Sequence, residues 1–137
     1  MGKFTNINDL QVDEDLQKDG IDLAFGNGRF ITVTRTGSTN RKYKTVLSRV
    51  FRPYTSATGV MTATDEEATH LLKEVYAESV VVGWRGFKDA EDKEIPFNKS
   101  NCIELFTDAP ELFDVVQSEA AKFSNFAQRE VEQAGKE

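Results

Sequence analysis

Apolar and polar residues alternate in two short runs near the start of the chain. The apolar positions are Ile21, Leu23, Phe25, Ile31 and Val33. Alternation of this kind is typical of strands with one buried face. Between the runs lies Gly26-Asn27-Gly28, which tolerates the positive φ of a tight turn. The pattern predicts a β-hairpin from about Ile21 to Thr36, whose apolar face other elements must cover.

The next apolar residues follow helical spacing. They are Tyr43, Val46, Leu47, Val50 and Phe51. Three- and four-residue steps predict an amphipathic helix that is capped by Ser38, Thr39 or Asn40 and ends before Pro53. Its other face is basic and carries Arg41, Lys42, Lys44, Arg49 and Arg52.

Three further helices are predicted from caps and periodicity. Thr64 and Glu67 form a capping box that starts a helix near Asp65, which we expect to persist to about Val82, although Val80–Val82 can also begin an extended segment. A short helix follows Asn98 or Ser100. The last helix is expected to begin at an Asp108 cap and to continue its apolar stripe to Ala127.

The predicted fold is α+β and mostly α-helical, with an N-terminal β-hairpin packed on a bundle of about four helices. Residues 1–20 are polar and acidic and are expected to form a flexible arm. Residues 21–127 form a single globular domain in this interpretation, and residues 128–137 a polar tail that frays.

The net charge of -6 is unevenly distributed, because residues 23–64 carry seven basic side chains and no acidic one. The basic segment either neutralises the acidic segments that fold against it or binds phosphate or an acidic partner.

The residues offer little support for catalysis. One cysteine and one histidine exclude a disulfide scaffold and a Cys/His zinc module, and no nucleotide-binding or hydrolase motif occurs. The charged loop Lys88–Glu94 lacks the spacing and the central glycine of a calcium loop. No membrane span or secretory signal is recognisable. We therefore expect a cytoplasmic protein that is not an enzyme and has no cofactor and no metal.

Trp84, the only tryptophan, precedes this charged loop, and Phe97 follows it. We interpret the loop as a solvated connector whose two ends are pinned by these two rings.

The order of segments from Val80 to Phe126 resembles the tail assembly chaperones of long-tailed, siphovirus-like bacteriophages. The segments are "WRGFKD", a polar loop, "IPFNKSN", a short helix, "DAPELFDVV" and a helix ending "NF". The earlier stretch "FITVTRTGSTNRKYKTVLSRVFRPY" is similar to a strand followed by a basic helix in the same proteins. The resemblance covers roughly residues 20–127.

The resemblance implies a non-enzymatic protein that binds and solubilises the tape-measure protein and helps to recruit tail-tube subunits. It also implies work in the host cytoplasm and absence from the mature virion. Such chaperones often have a longer form made by ribosomal slippage, for which Gly135-Lys136 is the candidate position here. The sequence does not decide whether the protein self-associates.

Five residues are the candidates for partner binding: Trp84, Phe87, Phe123, Arg41 and Lys44. Aromatic residues, above all tryptophan, are enriched among interface hot spots. For these aromatic positions, and for Phe97 and Phe113, the alternative is a place in the core. Two rival functions remain, a nucleic-acid-binding phage protein that uses the basic helix 40–52 and a structural tail component.

Overall fold

The computed structural model describes residues 2–37 and 39–127. Within them the chain forms five α-helices and three β-strands, so the predicted α+β, mostly helical fold is confirmed. The elements are α1 (Glu14–Asp19), β1 (Ile21–Ala24), β2 (Phe30–Val33), α2 (Arg41–Phe51), α3 (Asp65–Ser79), β3 (Val81–Arg85), α4 (Lys99–Asp108) and α5 (Pro110–Ala121).

The three strands form one antiparallel sheet with β2 in the centre. The predicted hairpin is confirmed, since Ile21 is opposite Val33 and Leu23 is opposite Ile31 in its register. These residues therefore share a face, and Ile31 and Val33 have no exposed surface. α3, α4 and α5 supply most of the core that covers this face.

Helices α3, α4 and α5 contact one another through aromatic rings. Phe106 and Phe113 are stacked with ring centroids 4.6 Å apart, and Tyr76 meets Phe113 edge to face at 5.4 Å. Aromatic pairs in these geometries are favourable beyond the area they bury. α2 packs on the other side of α3 through a smaller cluster of Val46, Val50 and Val75.

Helix starts follow the local sequence at three places. The Asn40 side chain accepts a hydrogen bond from Tyr43 N, and Asn98 does the same for Asn101 N. Thr64 and Glu67 form the predicted capping box. α2 also ends before Pro53, as expected. Ser38, another candidate cap for α2, lies outside the described residues.

The predicted end of α3 is wrong by three residues. The helix stops at Ser79, and Val81–Arg85 forms β3, which pairs with β2. Val81 is buried against the sheet core, whereas Val82 is 49% exposed at a bulge in the register. Val81 and Val82, which extend the apolar pattern of the helix in the sequence, thus belong to a strand. This strand forms backbone hydrogen bonds with the edge of β2 that β1 leaves unpaired.

The predicted start and end of the last helix also need correction. Asp108 is the final residue of α4, and Ala109 precedes α5 without a side-chain cap. α5 stops at Ala121, because Lys122 has extended backbone angles, and a 3₁₀ turn from Phe123 to Asn125 follows. This change of direction leads to Phe126, which has no exposed surface.

The segment expected to be a flexible arm has defined secondary structure here. A 3₁₀ turn covers Asn8–Leu10, and α1 is capped by Asp13, whose carboxylate accepts from two backbone N–H groups. Val12 forms an isolated bridge with Ala127. The proposed domain limits stay predictions, and the tail 128–137 lies outside the described residues.

Two glycines bring the β1–β2 turn against the end of β3. Gly86 has φ of 88°, and a Cβ added there would lie 2.1 Å from the carbonyl oxygen of Gly28. Gly28 also has a positive φ, 75°, but a Cβ at that position would meet nothing within 4 Å. Of these two glycines, only Gly86 combines backbone strain with a steric conflict.

We expect Gly28→Ala to lower the free energy of unfolding by about 1 kcal/mol, the usual cost of a left-handed conformation for alanine. Gly86→Ala should cost about 3 kcal/mol or more, because backbone atoms must also move. Urea unfolding of both variants measures the difference. Equal destabilisation would mean that the close approach of Gly86 to Gly28 contributes nothing.

Candidate functional site

An open groove of about 1310 Å³ lies among the described residues. One wall is the segment from Leu10 to Lys18, which includes α1. The other wall is the β2–α2 connection with the first residues of α2, from Thr34 to Lys42. The end of α3, the start of β3, Phe97 and Phe123 complete it. We call this feature the groove.

The β2–α2 connection is fixed to the core by hydrogen bonds. Thr34 N donates to Val80 O at 2.8 Å, and Thr36 N donates to Ala120 O at 3.0 Å. Asn40 Nδ2 donates to Arg35 O at 2.7 Å, while its Oδ1 caps α2. One buried asparagine therefore sets both the path of this wall and the start of the basic helix.

The α1 wall is held at both ends. Asp13 N donates to Phe126 O at 2.6 Å, next to the bridge between Val12 and Ala127. Across the groove, Gln17 Nε2 donates to Thr39 O at 3.0 Å. The groove is therefore formed by segments far apart in sequence.

The groove presents apolar surface to solvent. Leu10 is 66% exposed and Val82 is 49% exposed. Phe97 and Phe123 are half-buried and line the same feature. Exposed apolar groups grouped in a concave surface indicate a binding site more strongly than the same groups scattered over a surface.

The charged residues of the groove are mainly basic. They are Lys18, Arg35, Arg41 and Lys42, against Glu14 and Glu78. The Arg35 guanidinium carbon lies 5.5 Å from the centre of the Phe123 ring. Its Nε is buried and has no hydrogen-bond acceptor in the part of the chain that the structure describes.

Glu78 is held by cations from two neighbouring helices. Its carboxylate accepts from Arg49 Nη2 at 2.6 and 2.7 Å and from Lys99 Nζ at 3.0 Å. Lys99 also contacts Glu74 at 3.1 Å. The hydrogen bonds from Arg49 and then from Lys99 lower the pKa of Glu78 to about 2. This network links α2, α3 and α4, and it leaves Glu78 charged but compensated.

Two of the five predicted binding residues, Phe123 and Arg41, line the groove. Lys44 is exposed on α2. Phe87 is only 9% exposed and belongs to the core cluster. The partner-binding role of all five residues stays a prediction.

Trp84 lies in an aromatic cluster beside the charged loop. Its ring centroid is 5.2 Å from that of Phe87 and 5.3 Å from that of Phe97. The indole N–H donates to Ile95 O at 2.8 Å. The prediction that Trp84 and Phe97 pin the two ends of the loop is confirmed, and the six charged residues between Lys88 and Glu94 are all exposed.

Leu10 and Val82 were missed by reasoning from the sequence. Leu10 belongs to a segment with weak periodicity, and Val82 was assigned to the end of a helix. The alternation from buried Val81 to exposed Val82 was the available signal, because a strand turns neighbouring side chains to opposite faces.

Neither Cys102 nor His70 lines the groove. Burial raises the pKa of the Cys102 thiol to about 12, so this side chain is a protonated core residue at neutral pH. His70 is exposed on α3, as expected for a surface residue. Among residues 2–37 and 39–127, no group of three or more His, Cys, Asp or Glu residues is arranged to hold a metal ion. The helices in these ranges are also too short or too polar to cross a membrane.

Residues 38–137 match the model of the YdaY prophage protein family. The chain belongs to this family. A phage-derived protein is therefore established, and it agrees with the bacteriophage part of the resemblance noted in the sequence. The matched region contains Arg41, Lys42, Phe97 and Phe123 of the groove, whereas the α1 wall precedes it. No curated protein and no solved structure matches the chain.

The low pKa of Glu78 predicts a pH-dependent contribution to stability. A carboxyl whose pKa falls from 4.5 to about 2 on folding stabilises the folded state above pH 4.5, and this contribution is lost as the pH falls towards 2. Glu78→Gln should therefore be less stable than the wild type at pH 7, and the difference should shrink between pH 4.5 and 2.

Urea unfolding at several pH values measures this difference, with the exposed loop variant Glu91→Gln as the control. A constant deficit of Glu78→Gln across the whole pH range would contradict the assigned role of the ion pairs.

Proposed function

We propose that this protein is a non-enzymatic tail assembly chaperone that binds and solubilises a phage tape-measure protein and helps to recruit tail-tube subunits. In this proposal it acts in the host cytoplasm and is absent from the finished virion. Membership of a prophage family supports the phage context. The resemblance of residues 20–127 to tail assembly chaperones supports the more specific role.

The observation that carries the proposal is the groove with its exposed apolar side chains. A tape-measure protein is a long helical chain whose apolar seams lack cover until the tail tube surrounds it. A chaperone for such a client must offer apolar contact, and binding of an amphipathic helix in a groove is a common way to provide it. Leu10, Val82, Phe97 and Phe123 supply such a surface.

The overall charge supports the same role. With a net charge of -6, copies of the protein repel one another and resist aggregation. Several copies bound along one long client would also gain avidity from modest individual affinities. A weak groove is therefore sufficient when the client is long and repetitive.

We expect co-expression with the tape-measure protein of the same phage to raise the soluble fraction of that protein severalfold and to give co-elution in size-exclusion chromatography. The physical reason is that bound chaperone covers apolar seams that would otherwise associate. The control is co-expression with a lysozyme of similar size. An unchanged soluble fraction would contradict the proposal.

Two further measurements distinguish the chaperone role from the two rival functions. Mass spectrometry of purified virions would detect a structural tail component in amounts comparable to the tube protein. Gel shifts with random DNA and RNA would detect a nucleic-acid-binding protein, whose affinity should fall steeply with salt. Either positive result would replace the chaperone role.

Substitution of Trp84 and Phe123 separates stability from client contact. We expect Trp84→Ala to lower the free energy of unfolding by about 2 kcal/mol or more, because it removes three packed-ring and hydrogen-bond contacts at once. Phe123→Ala should reduce binding of the tape-measure protein at least fivefold with a smaller loss of stability. Thermal melts and pull-down titrations measure both. Unchanged binding by Phe123→Ala would remove that ring from the contact surface.

A further inference from the structure

The groove differs in charge from the rest of the protein. The chain carries six more acidic than basic side chains, yet the groove is lined by four basic and two acidic residues. One of the two acidic residues, Glu78, is already compensated by Arg49 and Lys99. The groove therefore presents positive charge to an occupant, while the side chains outside it sum to a net negative charge.

The basic residues are placed next to the apolar surface. Arg35 lies over the Phe123 ring. Arg41 and Lys42 occupy the first turn of α2 and are exposed. No carboxylate in the described ranges forms an ion pair with Arg35, Arg41 or Lys42. Carboxylates of an occupant would therefore find cations that no carboxylate of residues 2–37 and 39–127 engages.

The position of Arg41 and Lys42 strengthens the preference of the groove for an occupant with carboxylates. They lie at the N-terminal end of α2, where the helix dipole adds partial positive charge. In the first turn of a helix, acidic side chains are favourable and basic ones are not. Here no acidic residue occupies that turn. The first turn of α2 thus lacks the acidic side chains that would best stabilise the helix. Its basic side chains attract an anionic partner instead.

We propose that the groove binds an amphipathic helix that carries acidic residues beside its apolar stripe. The apolar stripe contacts Leu10, Val82 and Phe123, and the acidic residues pair with Arg35, Arg41 and Lys42. This inference rests on the proposed function, since it specifies the kind of tape-measure segment that is bound. Charge complementarity is the property that selects this occupant.

The apolar rim argues against nucleic acid in the same place. Leu10 and Val82 would face a phosphate backbone that offers no apolar partner, and Glu14 would repel it. A groove that is lined by both apolar and basic side chains matches an amphipathic helix on both counts.

Two synthetic peptides test the charge preference. Both are fluorescein-labelled amphipathic helices of about 20 residues, roughly 30 Å long, with the same leucine stripe. One carries glutamates beside the stripe and the other carries lysines. We expect the acidic peptide to bind the full-length protein at least ten times more tightly in fluorescence anisotropy at physiological salt. Equal binding or preference for the basic peptide would overturn the proposal.

The double variant Arg41→Glu/Lys42→Glu tests the location. Glutamates in the first turn of α2 are compatible with the helix dipole, so the variant should fold. Lys88→Glu/Lys93→Glu changes the net charge equally in the exposed loop away from the groove and is the matched control. We expect at least tenfold weaker binding of the acidic peptide by the groove variant and less than twofold change by the control. Equal loss in both variants would overturn the assignment to the groove.

Nucleic acid and a second copy of the chain are the two competing occupants of the groove, and each predicts a different result. Displacement of the acidic peptide by a random DNA duplex, with loss of DNA binding in Arg41→Glu/Lys42→Glu, would overturn the proposal in favour of nucleic acid. A wild-type dimer in analytical ultracentrifugation that this variant dissociates would overturn it in favour of a second copy.

Co-expression with the tape-measure protein separates this inference from the proposed function. If the wild type and the groove variant solubilise the tape-measure protein equally, the chaperone role stands and the groove assignment fails. If neither does, while the peptide preference holds in the wild type and is lost in the groove variant, the groove inference stands and the chaperone role fails. Loss of solubilisation in the groove variant alone supports both.

Discussion

The structure depends on covering the apolar face of the central strand β2. Ile31 and Val33 have no exposed surface, and a hairpin alone offers nothing to bury them. The rings of Phe106 and Phe126 are buried in the same cluster, together with Val80 and Val81. The chain that leaves β2 is tied to Val80 through Thr34, so burial of this face also fixes where α2 begins. The groove lies beside that junction, and its shape follows from how the sheet is covered.

Local signals in the sequence predicted most helix starts and the hairpin, because caps and turns depend on residues a few positions apart. Asn40, Thr64 and Asn98 cap their helices through contacts within three residues. For β3 the sequence left two alternatives, since three consecutive valines fit either a helix end or the start of an extended segment, and only pairing with β2 decides between them. The end of α5 was missed for a similar reason. Nothing near Lys122 marks a stop, and the turn there serves to bury Phe126 against a segment more than a hundred positions earlier.

The candidate site was less predictable than the fold. Reasoning from aromatic type selected Phe123, which lines the groove, together with Trp84 and Phe87, which contact each other and do not line it. Residue type cannot separate these cases, because both interfaces and cores favour aromatic rings. The same holds for charge. Arg49 belongs to the basic face of α2, yet it neutralises Glu78, whereas Arg41 on the same helix borders the groove. Neutralisation of acidic residues that fold against the basic segment therefore holds for Arg49, whereas binding of an acidic partner by this segment stays a prediction.

A basic groove on an acidic protein is physically consistent with binding an acidic client. At physiological ionic strength the Debye length is about 8 Å, so repulsion between the client and distant acidic surfaces is largely screened. Charges in contact inside the groove are screened much less, and there the sign is positive. The same separation of length scales acts between two copies of the protein. Two copies that each carry a net charge of -6 repel each other on approach, while in the proposed complex an extended helix can enter the groove without bringing a second globular surface close. Under the proposed function, net charge and groove charge therefore have different roles, because a uniform distribution of the same residues would keep the repulsion between copies but would lose the positive groove.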